Sequence, residues 1–390
     1  MKSHLQWFGS YFVLPLILLS TQATMTGAQE KSVPEGVWVR DGYQLTVAVD
    51  SINAPRFMEV NPDGVLFVSV PRPGEIKACR DEDNDGYYEK VTTFVEGYPQ
   101  AHGMQWHDGW LWFTVSTAIH KARDTDGDGK ADEVETVLKD LPGGTGHWWR
   151  SILIHNNRLY TSVGDPGNAT PDDMERKKLW SYNLDGSDKK LFASGIRNTE
   201  KYAVRPGTDE FWGMDHNSDW FGRALEGEGR NIPQPITDRL PGEELNKYEE
   251  GKFYGHPFIV GKGIPRYEFM DREDIVELAS KTTVPEWVAG AHWAANGMCF
   301  YTGDQFPEEV KGDAFIAYHG SWNSSVKVGY CVTRILFEDG HPFGELKYVN
   351  FLTDEEEVLG RPVDCEVAAD GSLLISDDNG DMVYRLSYKN

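Results

Sequence analysis

The sequence predicts an all-β fold, a β-propeller of six blades. The first observation is a unit of polar turn followed by an alternating apolar run, such as residues 61–70, which occurs six times along the chain. Such units at intervals of about 40–50 residues are typical of propeller blades. The second is that helical hydrophobic spacing is confined to two short stretches, residues 134–138 and 272–280. The third is the abundance of glycine and of aromatic residues, which suits short strands joined by tight turns.

The six units give the expected order of the blades. Their equivalent apolar residues are separated by 45, 48, 52, 104 and 59 positions. These residues are Leu66, Leu111, Leu159, Phe211, Phe315 and Leu374. The interval of 104 predicts an insertion between blades four and five, roughly residues 220–290, which we interpret as a long loop over one face. A seventh blade inside this stretch is the competing interpretation.

The N-terminus has the features of a signal peptide, residues 1–28. Lys2 gives a positive start, residues 7–19 are mostly apolar, and Thr26-Gly27-Ala28 is a small-residue cleavage site. The apolar run is short for a membrane span, so we expect no membrane span after signal cleavage and a secreted or periplasmic protein. An uncleaved N-terminal anchor is the alternative. Residues 29–390 would then form a single propeller domain.

The charge balance excludes some partners. The chain has 38 Lys and Arg against 62 Asp and Glu, a net charge of −24. Such a surface repels nucleic acid and anionic membranes, and it is compatible with cation binding or with simple solubility. The four cysteines form no Cys-x-x-Cys pair, which argues against zinc and thiol redox chemistry. A Cys79–Cys331 bridge remains open.

An acidic turn occurs twice, at residues 80–86 and 123–129, before two similar strand patterns. Its second copy matches the full twelve-residue calcium pattern, with alternate carboxylates and a glycine at position 6. The candidate ligands there are Asp124, Asp126, Asp128, the carbonyl of Lys130, Asp132 and Glu135. In the first copy, Asp81, Asp83, Asp85 and Glu89 can ligate, but Thr92 replaces the closing glutamate. We predict calcium in both hairpins in a structural role; the alternative is a pair of solvated acidic turns.

Unusual polar residues precede the strand units at one repeated position in five blades. The five segments are residues 100–105, 145–150, 195–200, 290–296 and 360–364, which carry His102, His147, Arg197 with Asn198, His292, and Arg361. These segments should line the central channel, where propellers bind ligands. Histidine suits proton transfer and arginine suits carboxylate binding, so the set describes a site for a planar polyanionic cofactor or an acidic sugar. It does not decide between oxidation and hydrolysis, and polar residues around a wet channel are the alternative.

Over residues 40–390 the chain resembles the soluble quinoprotein glucose and sorbosone dehydrogenase family. The most specific stretch runs from Phe300-Tyr-Thr-Gly-Asp-Gln-Phe-Pro307 through Tyr318-His319-Gly-Ser-Trp322-Asn323. Gly360-Arg361-Pro-Val-Asp364 and residues 369–378 continue the similarity, which points to the sorbosone branch. The paired Asp-x-Asp-x-Asp-Gly loops are similar to those of a bacterial branch of the family.

The resemblance implies pyrroloquinoline quinone and calcium as cofactors. His147 matches the family's catalytic base, which takes a hydroxyl proton as hydride passes to the quinone. Arg197 and Asn198 match a pair at the cofactor, and Arg361 matches an arginine that grips a quinone carboxylate. The remaining residues that we assign to these cofactors are His102, His292 and His319 for the quinone and the His216–Asn217 segment for the catalytic calcium. The implied partners are a small-molecule sugar substrate and an electron acceptor of unknown identity.

Three positions depart from the family pattern. Glucose-specific members carry Asp where Gly146 stands, and a second basic residue where Val363 stands. The sorbosone branch more often carries Arg at the position of Ser324. Glucose is therefore not the expected substrate, and loss of the cofactor is an alternative.

The leading functional hypothesis is a secreted dehydrogenase that oxidises a sugar or a related alcohol or aldehyde. One alternative is a non-catalytic propeller that binds glycans through stacking aromatic residues, namely Trp148, Trp149, Trp293 and Trp322. The other is a calcium-dependent lactonase-like hydrolase, whose metal would need side-chain carboxylates in the channel.

Overall fold

Six antiparallel sheets follow one another along the chain in the computed structural model, which describes residues 32–171, 175–221 and 236–389. The predicted signal peptide lies outside this range. No described helix is both long and apolar enough to cross a membrane.

Each sheet has four main strands, joined in sequence order in blades one to five, with the first strand of each blade facing the channel. The chain begins with β1 (Trp38–Val39) and β2 (Tyr43–Val49). Blade one contains β3 (Met58–Val60), β4 (Leu66–Val70), β5 (Glu75–Arg80) and β6 (Lys90–Val95). Blade two contains β7 (Met104–His107), β8 (Trp110–Val115), β9 (Ala118–Arg123) and β10 (Glu133–Leu138). Blade three contains β11 (Leu153–His155), β12 (Arg158–Thr161), β13 (Lys178–Asn183) and β14 (Lys190–Ser194).

The second half of the ring follows the same plan. Blade four contains β15 (Thr199–Val204), β16 (Phe211–Asp215), β17 (Gly242–Tyr248) and β21 (Trp287–Ala291). Blade five contains β22 (Ala295–Phe300), β23 (Ala314–Tyr318), β24 (Cys331–Glu338) and β25 (His341–Asn350). Blade six contains β26 (Pro362–Val367), β27 (Leu373–Asp377) and β28 (Met382–Tyr388). The predicted all-β, six-bladed propeller is confirmed.

The ring is closed by the N-terminal strand. Strand β2 pairs with β28 and supplies the fourth strand of blade six, with Leu45 opposite Leu386. Strand β1 adds a short edge to blade five by pairing with β25. The two ends of the described chain therefore lie in neighbouring blades.

The insertion lies inside blade four and not between blades four and five, as the sequence had suggested. Strands β17 and β21, both within residues 220–290, are the third and fourth strands of that blade. The additional chain between them contains β18 (Lys252–Phe253), β19 (Ile259–Val260), β20 (Ile264–Pro265), a 3-10 turn at Tyr267–Phe269 and helix α1 (Ile275–Lys281). The spacing of second strands measures the length of an insertion but not its place within the interval, which explains the error.

The hydrophobic core lies between the blades. Phe67 of blade one packs with Phe113 of blade two, and Trp212 of blade four is fully buried in a cluster with Ile316 of blade five. Burying a large apolar side chain contributes roughly 1.5–3 kcal/mol, so each interface holds two neighbouring blades together. All four cysteines are buried and unbridged; Cys79 lies in blade one and Cys331 in blade five, so the bridge between them is not formed.

Strand direction defines two faces of the ring. We call the face at which the first strand of every blade begins the upper face, and the opposite one the lower face. Because adjacent strands are antiparallel, the loops between strands two and three and those between blades lie at the upper face. The turns between strands three and four, which include both acidic hairpins, lie at the lower face.

Candidate active site

The five polar segments converge on the upper face. His102 lies just before β7, His147 before β11, and Arg197 before β15. His292 precedes β22 and Arg361 precedes β26 in the same way. The structure thus gives these residues the equivalent positions that their register indicated.

His147 is held in one tautomer. Its Nδ1 lies 2.8 Å from the carbonyl oxygen of Asp165, and its backbone N–H donates to the same oxygen at 3.2 Å. A carbonyl oxygen only accepts, so Nδ1 carries the proton and Nε2 keeps its lone pair. Burial, with a smaller effect of Arg197, lowers the pKa of His147 to about 3. The side chain is therefore a neutral proton acceptor.

Asp165 is itself fixed by a second histidine, His256, from the insertion. His256 Nε2 lies 2.7 Å from the Asp165 carboxylate, which also accepts bonds from Thr170 N at 2.9 Å and Gly167 N at 2.7 Å. Burial would raise the pKa of Asp165, but the bonds from His256 and Thr170 hold it well below its usual range. Strand β14, the fourth of blade three, runs toward the upper face. Strand β18 of the insertion is parallel to it, so His256, which follows β18, lies at the upper face.

Two glycines allow the close approach around His147. Gly146 has φ +77°, and a Cβ there would lie 2.3 Å from the carbonyl oxygen of Pro166. A Cβ on Gly164 would lie 2.5 Å from Asn198 Oδ1 and 2.7 Å from the Cβ of His147. Neither position has space for a side chain, so the Asp expected before the histidine in glucose-specific members cannot fit at Gly146 in this backbone.

Arg176 pins the loop that carries His147. Its guanidinium is buried and donates to four backbone carbonyls, among them Gly164 O at 2.6 Å, Thr145 O at 2.8 Å and His147 O at 3.0 Å. A buried guanidinium with several acceptors makes the conformation of the loop specific.

Arg197 lies beside His147 in a dense polar cluster. Its guanidinium donates to Asn168 O at 2.9 Å, His216 O at 3.3 Å and the Asp219 carboxylate at 3.3 Å. His292, whose Nδ1 is 3.7 Å from Asp219, belongs to the same cluster. Together these contacts bring Arg197, His216 and His292 close to His147.

The segment assigned to a catalytic calcium is surrounded by buried acids. Asn217 N donates to Glu243 at 2.9 Å, and Asn217 Nδ2 donates to Glu244 at 2.6 Å. Burial raises the pKa of Glu243, and it raises that of Glu244 to about 8. The carbonyl of His216 already accepts a bond from Arg197, so a cation there would share that oxygen.

A second network crosses the channel from blade six to blade four. Arg361 NH2 lies 2.9 Å from His319 Nδ1, and His319 Nε2 lies 2.9 Å from Asp378. The other oxygen of Asp378 accepts from Arg56 at 2.9 Å, and Arg56 also donates to Glu200 at 3.3 Å. Glu200 then accepts from Asn198 Nδ2 at 3.2 Å, which connects this network to the cluster around His147.

Several buried polar atoms around the channel have no hydrogen-bond partner within the described residues. They are Asn198 Oδ1, His216 Nε2, Arg56 Nε and both ring nitrogens of His102. His102 stacks on Trp149 with centroids 4.6 Å apart, and its Nε2 is 3.5 Å from Glu200. Buried polar groups are normally satisfied, so this concentration of unsatisfied atoms fits a polar ligand in the channel.

The acidic hairpins bring carboxylates together at the lower face. One oxygen from each of Asp81, Asp83, Asp85 and Glu89 lies within 4.8 Å of the others. The second hairpin gathers three carboxylates, Asp124, Asp126 and Asp128.

Two ligands predicted for the second hairpin lie outside its cluster. Asp132 accepts from Thr125 N and Oγ1, both at 2.7 Å, and Glu135 pairs with Lys121 across the β9–β10 strand pair at 2.9 Å. The twelve-residue pattern requires the Glu at position 12 to bind the same ion, but here Glu135 lies in strand β10 opposite Lys121. The first hairpin has the weaker match to the calcium pattern, but it brings together four carboxylates, one more than the second hairpin.

Sequence reasoning missed several residues of the site. They are Arg56, Asp165, Arg176, Glu200, Asp219, His256 and Asp378. Most lie outside the repeated segments, on loops whose contacts arise only in the folded ring. A signal existed for Glu200 and Asp378, which lie in segments already recognised, but nothing local shows which partner a buried acid will have.

A six-bladed propeller with a network of buried polar residues at the upper face of its channel is the class of protein that this fold and site define. The chain belongs to the family described as a domain of unknown function, DUF7133, whose model matches residues 30–383. An uncharacterized protein of Borreliella burgdorferi is 26% identical over 405 residues, covering 98% of this chain and 99% of its own.

Solved structures share the fold at lower identity. A calcium structure of a Trichoderma reesei enzyme of carbohydrate-active family AA12 has a TM-score of 0.77 and 18% identity, and the match covers 94% of this chain and 100% of that one. The holo form of the pyranose dehydrogenase PQQ domain from Coprinopsis cinerea has a TM-score of 0.76 and 17% identity, with 90% and 97% covered. The resemblance to quinoprotein sugar dehydrogenases is thereby confirmed for the fold.

Proposed function

We propose that this protein is a secreted oxidoreductase that oxidises a sugar, or a related alcohol or aldehyde, using pyrroloquinoline quinone. The observation that carries the proposal is His147, whose Nδ1–H is bound to the Asp165 carbonyl and whose neutral Nε2 keeps its lone pair, in a cluster with unsatisfied polar atoms such as His216 Nε2. Two proteins with the same fold, the Coprinopsis cinerea pyranose dehydrogenase domain and the Trichoderma reesei AA12 enzyme, support oxidation of a sugar as the type of reaction.

The residues present fit the quinone. Arg197 and Arg361 offer cations at the upper face, just before strands β15 and β26, and Asn198 Oδ1 and His102 have unused hydrogen-bonding capacity. A bound quinone would supply the two-electron oxidant that takes a hydride from the substrate carbon. His147 Nε2 removes the proton of the hydroxyl on that carbon, so the C–O bond becomes a carbonyl. Asp165 and Arg176 keep the ring oriented during this transfer.

Reconstitution is the direct test. The purified protein, with calcium and micromolar pyrroloquinoline quinone, should reduce a redox dye in the presence of a sugar. His147→Gln should lose most of this activity, by about 10²–10⁴-fold, and still bind the quinone. Absence of quinone binding at micromolar concentration in the wild-type protein would refute the proposal.

We also propose that calcium binds the lower-face hairpins as a structural ion. The four converging carboxylates of the first hairpin support this, because hard oxygen ligands in one loop favour calcium. In the enzyme, a further calcium would be held near His216 and Asn217.

Glycan binding without catalysis is the second candidate. Trp322 is 68% exposed and packs edge-on against Trp220, with centroids 5.5 Å apart. An exposed aromatic pair of this kind can stack on a sugar ring. If this is the function, His147→Ala would leave saccharide affinity unchanged and no dye would be reduced.

The lactonase alternative has less support. The converging sets of metal-ligating side chains in the described part of the chain are the two hairpins at the lower face, away from the channel. Hydrolysis of a lactone without any redox dye would restore this alternative.

A further inference from the structure

A cleft of about 640 Å³ opens beside the channel at the upper face, between blades six and one. Its charged lining residues are three arginines, Arg56, Arg72 and Arg361, and two aspartates, Asp378 and Asp381, and Trp149 lies beside them. Arg56 is paired with Asp378 and Glu200, but Arg72 and Arg361 form no ion pair in the described part of this chain of net charge −24. Such an arrangement attracts an anion.

Arg56 is built into the site. Its side chain is 11% exposed, and its guanidinium carbon lies 5.1 Å from the centroid of the Trp149 ring. Asp378 and Glu200 hold its two terminal nitrogens, while Nε is buried and has no hydrogen-bond partner within the described residues. Burying a cation is costly, so a buried guanidinium with one unused donor indicates a ligand that would complete its contacts.

Asp378 couples Arg56 to Arg361. One of its oxygens accepts from Arg56, and the other lies 2.9 Å from His319, which contacts Arg361. The guanidinium groups of Arg56 and Arg361 therefore belong to one hydrogen-bonded network at the wall of the cleft. Arg72 differs, because it is exposed on the turn between β4 and β5 and makes no side-chain hydrogen bond or ion pair in the described part of the chain.

Val363 occupies the position where glucose-specific members of the resembled family carry a second basic residue, and its surroundings are apolar. Val363 is fully buried in the apolar cluster of blades one and two, with Phe57 and Ala101. A cation at that position would have no acceptor and no water. Arg56, the residue next to Phe57, is instead the cation connected to Arg361, through Asp378 and His319.

We propose that Arg56 and Arg72 bind carboxylate groups of the quinone in this cleft together with Arg361, and that Arg56 takes the place of the basic residue absent at Val363. This inference rests on the proposed function. Arginine forks match carboxylates in two-point contacts, which suits a ligand with several carboxylates.

Quinone affinity provides the test, independently of turnover. Pyrroloquinoline quinone is titrated into the full-length protein without sugar, and binding is followed by tryptophan fluorescence and quinone absorbance. Arg56→Gln and Arg72→Gln should each weaken binding, Arg56→Gln by about tenfold to hundredfold. Arg272→Gln, which removes an exposed arginine paired with Asp274 outside the cleft, should bind like the wild type.

The trimethyl ester of the quinone isolates the carboxylate contribution. Its affinity for the wild-type protein should be low and should not change further in Arg56→Gln, because the arginine then has no anion to bind. Arg72 has no contacts to lose, so Arg72→Gln keeps the test valid even if Arg56→Gln fails to fold, which urea unfolding will show.

The outcomes separate the two proposals. If the wild type does not bind the quinone, the proposed function fails. If it binds, but Arg72→Gln and a folded Arg56→Gln bind equally well, the inference is wrong and the proposed function stands. A loss of D-glucuronate affinity in these variants, with unchanged quinone affinity, would also overturn the inference and assign the cleft to an acidic sugar.

Discussion

His147 shows how single contacts define a proton acceptor. The backbone carbonyl of Asp165 selects the tautomer, and burial beside Arg197 keeps the ring neutral. Both effects depend on groups that are distant in sequence. The residue type indicates a base, but its protonation state follows from the environment.

The pH profile of the reconstituted enzyme follows from this environment. Because the pKa of His147 is lowered to about 3, kcat/KM should show no acid limb near pH 6.5 and should fall only well below pH 5. The same shift affects folding: its contribution to stability is present above pH 6.5 and is lost as the pH falls toward 3. Rate measurements between pH 4 and 9 check the first point. A fall in kcat/KM on the acid side near pH 6.5 would mean that His147 is not the base or is not neutral.

Gly146 should not tolerate a side chain. Gly146→Ala adds a positive-φ strain of about 1–2 kcal/mol and an overlap with Pro166 of similar size. Gly97→Ala is a matched control, since Gly97 has φ +82° with no atom within 4 Å of the added Cβ. Urea unfolding should show a larger loss in free energy of unfolding for Gly146→Ala than for Gly97→Ala. Equal losses would contradict the steric argument.

At the scale of elements, the insertion of blade four places a histidine, His256, in the candidate active site. Strand β18 runs alongside β14 toward the upper face, and His256 follows it to reach Asp165. The acidic hairpins, in contrast, stay at the lower face. The insertion therefore contributes to the channel at the upper face, and the hairpins contribute only to the outer strands of their blades at the lower face.

Calcium removal should destabilise the hairpins. A site filled at 100 times its dissociation constant contributes about 2.7 kcal/mol, so excess chelator should lower Tm measurably. The calcium-dependent part of Tm should shrink more in Asp83→Asn than in Asp126→Asn, because the first hairpin gathers four carboxylates and the second three. Asp354→Asn, at an exposed acidic residue outside both hairpins, serves as the control. The reverse order would favour the twelve-residue sequence pattern over the observed geometry.

The repeats in the sequence predicted the blades because strand alternation and turn residues are local properties. They also predicted which segment of each blade faces the channel, as the positions of His102 and His292 show. The place of the insertion and the partners of Arg56 were not predictable, because both depend on contacts between distant blades. The pairing of Glu135 with Lys121 was not predictable either, because the twelve-residue pattern does not show that Glu135 lies in a strand; calcium binding by the two hairpins stays a prediction.

At the scale of the whole molecule, closure of the ring depends on strand β2. It buries Ala48 and Val49 and covers the edge of β28. Without β2, that edge would present unpaired backbone groups. The stability of all six blades is therefore linked to a seven-residue segment near the N-terminus.

Truncation tests this linkage. Removal of residues 1–50 should lower the free energy of unfolding by at least about 5 kcal/mol, a large share of a typical total, and promote association through β28. Removal of residues 1–31, which leaves β2 intact, should have little effect. Circular dichroism melts and size-exclusion chromatography distinguish the two. A monomeric, cooperatively melting protein without residues 1–50 would show that closure is dispensable.

The pairing of β2 with β28 also sets an order in time. A ribosome makes β2 long before β28, so blade six cannot assemble until β28 has been made. Blades one to five consist mainly of neighbouring segments and can form earlier. An emerging chain therefore carries β2 unpaired until β28 has been made, and a chain that is cut short before β28 leaves the ring open.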